Sequence, residues 1–437
     1  MMDESFKKLS REEINKVQLE KLKQTVKYVY DSCSYYREKM NSINVKPEDI
    51  DTLEDIEKLP FTTKEDFRNN YPYGMFAVPL KDILRIHASS GTSGKPTVVG
   101  YTKNDLEVWS ECVARIAWMG GAEENDIAQI CFGYGMFTGA LGLHYGLEKL
   151  GVTVVPTSVG NSEKQIMYMK DFKTTVIIAT PSYALRLAEV AKEIGVDIEK
   201  DLCVKKLILG SELMTAAIKA ELHKLWGHDV KITSNYGMSE LMGPGVSGQC
   251  LSSGNSMHIN EDYFIAEIID PNTLKKVKDG EIGELVITCL SKEALPLLRY
   301  RTRDITSLDY SPCECGVPFC KMTNLQGRSD DMIKVRGVNV FPGQIEDAIL
   351  GFEGIGPHYE IVIEREGFSD KLTIRLELLQ ETDDFKELIR MNSKIKDRIK
   401  SILGIDIIVK LESPQTLRRF EGKAKRIVDL RNVNKEV

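Results

Sequence analysis

Three stretches of this 437-residue chain carry residue types that could do chemistry. The first is Ser89-Ser90-Gly91-Thr92-Ser93-Gly94-Lys95-Pro96-Thr97, hydroxyls and glycines around one lysine. Glycine admits φ > 0 and close approach, so main-chain N–H groups, hydroxyls and the Lys95 ammonium could converge on a phosphate. The same composition also makes plain surface turns. The Walker pattern does not fit, because Pro96 follows Lys95 where Ser or Thr would be needed to hold Mg2+. The second stretch, Asn235-Tyr236-Gly237-Met238-Ser239-Glu240, offers a ring, a hydroxyl and a carboxylate. These could stack a base, bond a phosphate and hold Mg2+, or Glu240 could be a solvated loop residue. In the third, Phe132 runs into Gly133-Tyr134-Gly135-Met136-Phe137-Thr138-Gly139-Ala140-Leu141-Gly142. Glycines between rings could line an apolar pocket or let a helix pack tightly.

Hydrophobic periodicity predicts the elements that hold these stretches. Apolar spacing over 11–40 indicates amphipathic helices, with short helices over 51–58 and 63–70, and Thr62 or Thr63 as N-cap before Glu65. Strand patterns over 83–88 and 98–102 place the Lys95 loop in a hairpin. Thr102 looks like the start of a helix through Leu106, Trp109, Val113 and Ile116, followed by a short buried strand over 127–132. From 150 onward, strands over 152–156, 176–180, 206–210 and 231–234 alternate with helices over 161–171, 182–194 and 214–226. That alternation implies βαβ units in a mostly parallel sheet. Ligands then sit beyond the carboxyl ends of the strands, where Thr180-Pro181-Ser182, Gly210-Ser211-Glu212 and 235–240 fall. Residues 258–310 read as short alternating strands, and 338–437 as a small α+β domain with strands over 359–363, 372–377 and 405–409 and helices over 343–350 and 385–401.

Length implies two or three domains. A net charge of −7 without a basic block disfavours nucleic acid and anionic membrane as partners. The acidic start Met1-Met2-Asp3-Glu4 is unlike a signal peptide, so a cytoplasmic protein is expected. Six of nine cysteines are scattered singly, as buried thiols are in large intracellular chains.

The motifs Arg85-Ile86-His87-Ala88 before the Lys95 loop, Gly135-Met136-Phe137-Thr138-Gly139, Thr180-Pro181-Ser182-Tyr183-Ala184 and the 235–240 segment come in a fixed order. With Tyr300-Arg301-Thr302-Arg303-Asp304, Gly327-Arg328, Gly337-Val338-Asn339-Val340-Phe341-Pro342 and Gly422-Lys423-Ala424 after them, the chain resembles the adenylate-forming enzymes over nearly its whole length. Within that superfamily it looks like the phenylacetate–coenzyme A ligase family. The resemblance implies an α/β fold: a large domain over 1–328 with the ATP and aryl-acid sites, mostly parallel sheets and a β-rich part, then a small mobile α+β domain over 329–437. It also implies two half-reactions. A carboxylate attacks the α-phosphate of ATP to give an acyl-adenylate and pyrophosphate, and the thiol of coenzyme A then displaces AMP.

By this resemblance Ser89, Ser90, Gly91, Thr92, Ser93, Gly94 and Lys95 hold the outer phosphates. Tyr236 stacks on adenine beside Gly210, Ser211 and Glu212; Asn235, Gly237 and Met238 complete that motif. Ser239 meets the α-phosphate, Glu240 binds Mg2+, and Asp304 and Arg328 hold the ribose. Lys423 bridges carboxylate and α-phosphate, although with Arg418, Arg419, Lys425 and Arg426 it could also form only a solvated basic face. Asp330 is the hinge whose rotation replaces Lys423 with the segment holding Lys334 and Gly337. Phe132, Tyr134, Phe137, Thr138 and Gly139, with Gly210, form a slot for an aryl ring. Phenylacetate is the family-level acid, with indole-3-acetate, hydroxylated phenylacetates and benzoates open, and a homodimer is the family-level assembly. The alternatives are a non-catalytic nucleotide-binding scaffold, or adenylation for a carrier-protein thiol.

Cys313-Glu314-Cys315-Gly316 has the turn glycine of a metal knuckle, but two ligands do not close a tetrahedral site. In this architecture the loop holding Cys250 and His258 could meet it. Ligand chemistry therefore suggests structural Zn2+ on Cys250, His258, Cys313 and Cys315, with Cys320 as substitute, against buried free thiols.

Overall fold

The helix Lys103–Met119 begins at a reciprocal cap. The Thr102 hydroxyl accepts from the Asp105 N–H at 3.1 Å, and the Asp105 carboxylate from the Thr102 N–H at 2.9 Å. Asp105 also accepts from the N–H groups of Glu293 and Ala294, at 2.7 and 3.0 Å, so one buried carboxylate ties this helix to a loop far along the chain. The computed structural model describes residues 2–89, 96–323, 325–329, 333–335, 338–366, 369–382, 384–420 and 426–431.

Helix Gly139–Leu150 packs on Lys103–Met119 through its glycines. A Cβ on Gly142 would lie 2.5 Å from the Trp109 ring, and one on Gly146 would lie 2.4 Å from Val113. Gly135 and Gly139 face open space. The packing reading of the glycine run therefore holds at 142 and 146, and does not extend to 135 and 139. Gly146→Ala should cost about 1–3 kcal/mol through overpacking. A thermal melt of the variant checks this as a Tm lowered by several degrees.

Nine strands form the main sheet. Thr153–Val155, Ile127–Ile130, Val176–Ala179, Lys206–Leu209 and Lys231–Met238 run parallel, joined by helices as βαβ crossovers. The sheet then continues antiparallel through Gly243–Gly248, Met257–Ile259, Lys321–Met322 and Leu308–Asp309. The strand expected to stop at 234 runs on to Met238, because Asn235, Tyr236 and Met238 pair with Gly248, Ser247 and Gly243. The 235–238 motif is therefore strand, and only Ser239 and Glu240 lie beyond it.

The β-rich part is an antiparallel sheet of Phe264–Ile269, Gly283–Cys289, Tyr300–Thr306 and Gly327–Arg328. The expected hairpin is present: Arg85–Ala88 pairs antiparallel with Val98–Tyr101. At its mouth the Ser89 N–H donates to the Thr97 carbonyl at 3.0 Å.

Beyond a small hairpin of Ile333–Val335 and Val338–Val340, the last part holds helices Pro342–Ile349 and Phe385–Leu403 on a sheet. The sheet order is Ile408–Glu412, Ser369–Leu378, Ile355–Glu366, Ile427–Asp429, and the last of these strands was not expected from the sequence. This α+β unit meets the large one through helix Pro342–Ile349 on helix Ala216–Trp226, and through His358 Nε2 and Glu189 Oε1 at 2.7 Å. Among the described residues no helix is long and apolar enough to cross a membrane.

Candidate active site

Alternation puts Tyr300, Thr302, Asp304 and Thr306 on the buried face of their strand. A register shift opposite Glu284 and Val286, with Arg303 at φ 70°, marks a bulge just before Asp304. Bulges re-aim side chains, and a left-handed non-glycine residue is held only where its surroundings enforce it. Asp304 here meets Tyr236, whose hydroxyl donates to Oδ2 at 2.6 Å.

A second pair mirrors the first. The Tyr300 hydroxyl donates to Glu240 Oε1 at 2.5 Å. Each motif thus contributes a ring and a carboxylate four residues apart, and each ring serves the other motif's carboxylate. Burial, then the neighbouring carboxylate, raises both phenol pKa values well above the usual range, so both rings remain donors. Glu240 is 2 % exposed, and its Oε2 takes no hydrogen bond among the described residues. A carboxylate oxygen with an unused lone pair suits a hard divalent cation such as Mg2+. The Glu240 carbonyl accepts from Lys292 Nζ at 2.8 Å, and burial pulls the Lys292 pKa down.

The neighbouring strand ends close on the same region. Ser211, at φ 68°, turns the chain after Lys206–Leu209. Glu212 then accepts from the Ser182 N–H at 3.0 Å and hydroxyl at 2.8 Å. The Asn235 amide donates to the Leu209 carbonyl at 3.0 Å, and a Cβ on Gly210 would lie 2.5 Å from Asn235 Oδ1. Position 210 has no room for a side chain. Gly237 is tighter still, its Cβ position lying 1.5 Å from the Gly243 carbonyl oxygen. Met238 packs on the core beneath.

Arg328 is the β-ladder partner of Asp304, with Nη1 to Oδ1 at 3.6 Å. A carboxylate beside a guanidinium offers an acceptor and donors to vicinal hydroxyls. Asp304→Asn should weaken nucleotide binding by about 2 kcal/mol, roughly 30-fold, since hydrogen bonds to a charged group are the stronger kind. Calorimetric titration with a non-hydrolysable ATP analogue measures it.

The glycine-aromatic loop touches this cluster directly. Thr138 Oγ1 and Ser239 Oγ share a hydrogen bond of 3.1 Å, and the Tyr101 hydroxyl donates to the Ser239 carbonyl at 3.0 Å. Phe132 and Tyr134 are half-buried against the core, Thr138 is buried, and Gly139 starts a helix. Phe137, also expected in the slot, is 52 % exposed. The Tyr134 hydroxyl lies 3.1 Å from His144 Nδ1.

Ser90, Gly91, Thr92, Ser93, Gly94, Lys95, Asp330 and Lys423 lie outside the described residues, and of Lys334 only the strand is described. The flanks of the Lys423 segment are placed. Phe420 and Arg426 line a cleft together with Ser182 from the strand ends. Arg426 pairs with Glu346, which also accepts from the Tyr359 hydroxyl at 2.7 Å. Cys250, His258, Cys313 and Cys315 converge elsewhere on the sheet, whereas Cys320 does not join them.

The supporting roles of Tyr300, Lys292 and Tyr101 were not anticipated from the sequence. The alternation ending at Asp304 could have indicated Tyr300; Lys292 and Tyr101 carry no local signal, being brought in by packing alone.

Comparison with known proteins draws these features together. Residues 7–289 match the family described as AMP-binding enzyme, and 337–431 match the AMP-binding enzyme C-terminal domain. The phenylacetate-coenzyme A ligase of Thermus thermophilus is 43% identical over 99% of this chain and 100% of its own length. That of Escherichia coli is 42% identical, covering 97% and 96%. The chain belongs to the phenylacetate–coenzyme A ligase family. Members of this family are AMP-forming acid–thiol ligases, so the chain is an ATP-dependent acid–CoA ligase working through an acyl-adenylate, and the scaffold reading falls. A solved structure of a 2-hydroxyisobutyryl-CoA ligase in the postadenylation state, with 2-HIB-AMP, superposes at TM-score 0.90 with 26% identity, covering 97% of this chain and 91% of that one. The same ligase in its thioesterification state, with CoA, gives 0.71 at 27% identity and equal coverage.

Proposed function

We propose that this ligase activates phenylacetate or a closely related aryl acid. The observation that carries the proposal is the Thr138–Ser239 hydrogen bond, which sets the glycine-aromatic slot against the nucleotide motif. A carboxylate bound in the slot would then lie beside the α-phosphate it must attack, the proximity that makes the step effectively intramolecular. One carboxylate oxygen bonds to phosphorus, and pyrophosphate departs. The Ser89–Thr97 loop would cradle the departing phosphates, Tyr236 would lie against adenine, and Asp304 with Arg328 would hold the ribose. Glu240 would hold Mg2+, which when bound neutralises phosphate charge. Lys423 would bridge the carboxylate and the α-phosphate.

In the second step the coenzyme A thiolate attacks the acyl carbon and AMP leaves. The boundary would lie at 328/329 with Asp330 as hinge, so that rotation would carry Lys423 away and bring the segment with Lys334 and Gly337 to the site. The lower similarity to the thioesterification-state relative supports a change of this kind. The reading extends to a cytoplasmic homodimer, which the mass of the native protein in solution checks.

The test is a panel of acids with ATP, Mg2+ and coenzyme A, following AMP and acyl-CoA together. Phenylacetate should lead, with hydroxylated phenylacetates and indole-3-acetate within about 1–3 kcal/mol in kcat/KM and benzoates weaker. Preference for an aliphatic acid would overturn it.

A further inference from the structure

Between Asp304 and its partner Arg328 the chain makes a long excursion. It pairs Leu308–Asp309 with Lys321–Met322 over only two residues, Leu308 with Met322 and Asp309 with Lys321. It then returns to the neighbouring strand with Lys321 opposite His258. The connection between these short ladders holds Cys313 and Cys315. Leu308–Asp309 is the edge strand of the sheet, so two rungs alone tie the near end of this eleven-residue connection to it.

Four ligand atoms meet at this connection. One each from Cys250, His258, Cys313 and Cys315 lie within 4.8 Å of one another. Cys250 Sγ and Cys313 Sγ are 3.6 Å apart, and Cys315 Sγ and His258 Nε2 are 3.3 Å apart. Tetrahedral Zn2+ with ordinary bond lengths separates two sulfurs by about 3.8 Å and sulfur from nitrogen by about 3.6 Å. His258 is fully buried, and its Nδ1 lies 3.0 Å from the Phe319 carbonyl. That bond places the ring proton on Nδ1 and leaves the Nε2 lone pair facing the sulfurs, the usual support of a metal-bound histidine. The Val317 N–H points at Cys315 Sγ at 3.5 Å, and Gly316 takes φ 77°, so the knuckle is already turned around its sulfur. A Cys250–Cys313 disulfide would need the sulfurs at about 2.05 Å and would leave Cys315 and His258 facing nothing.

We propose that Cys250, His258, Cys313 and Cys315 hold one structural Zn2+ that clips the 310–320 connection to the sheet and so fixes the register in which Arg328 returns to Asp304. Four protein ligands leave no open position, so the ion takes no part in the chemistry. The catalytic consequence rests on the ligase reading, and the metal assignment does not.

Full-length protein produced with zinc in the medium and purified without chelator should hold about one zinc per chain by elemental analysis. Production with cobalt should give the visible ligand-field and thiolate charge-transfer bands of a tetrahedral site. Cys315→Ser should lose the metal, melt lower, and bind a non-hydrolysable ATP analogue several-fold more weakly. Should that variant not fold, zinc release from wild-type protein by a thiol reagent, followed by analogue binding, reads the same quantities. Protein without zinc or tetrahedral cobalt bands overturns the assignment, as does zinc loss that leaves both melting and analogue affinity at their original values. Zinc content is read without any turnover, so failure here is distinct from failure of the ligase reading.

Discussion

Replacing Glu240 with Gln should lower acid-dependent ATP–pyrophosphate exchange by about 10²–10³-fold, the scale seen when a preorganised electrostatic contact to a developing charge is lost. The substitution preserves shape. Gln can still accept from Tyr300 through Oε1, and the Lys292 bond goes to the main-chain carbonyl, which is unchanged. Only the charge and the second oxygen disappear, and that oxygen is the one without a hydrogen-bond partner among the described residues. Melting temperature should therefore stay close to wild type while the Mg2+ dependence of exchange weakens. Exchange within a few-fold of wild type would show that the carboxylate serves the Tyr300 contact and not the metal.

The second large effect belongs to Lys423, which lies outside the described residues between two flanks that are placed. Lys423→Ala should reduce adenylation by about 10²–10³-fold, the scale of losing a charged contact to the charge that develops between carboxylate and α-phosphate. It should leave thioester formation from a supplied acyl-adenylate within a few-fold of wild type. The asymmetry separates catalysis from folding, since a misfolded small unit would lose both half-reactions. Arg426 makes the contrast sharper, because its pairing with Glu346 and its place over the Tyr359 ring anchor the end of the segment whatever stands at 423. Single-turnover measurement of each half-reaction decides the point. Equal loss in both would overturn the assignment.

Much of the scaffold was legible because its causes are local. Thr102 caps a helix by chemistry held within four residues, and the αβ alternation from 150 onward follows from apolar spacing, as do both helices of the last unit. The divided use of the glycine run, with Gly142 packing and Gly139 open, could not be read there, since the deciding atoms belong to a different helix. The continuation of Lys231–Met238 through the Tyr236 motif was hidden for the same reason. Its cause is the antiparallel partner Gly243–Gly248. The parallel strand Ile427–Asp429 is three residues long and has no periodicity to detect.

The sequence by itself determined which chemical groups are present: the glycine-hydroxyl-lysine loop, the ring and carboxylate motifs, and the four residues of the Cys–His set, all of which follow from side-chain identity. Tertiary structure alone decided who serves whom. Tyr236 meets Asp304 and Tyr300 meets Glu240 because a bulge at Arg303 re-aims one strand across the end of another. Cys315 joins His258 while Cys320, five residues on, sits buried with its N–H bonded to Glu261. Identity sets what a side chain can do, whereas its partner is set by sheet register, a property of strands distant in the chain and absent from any local pattern.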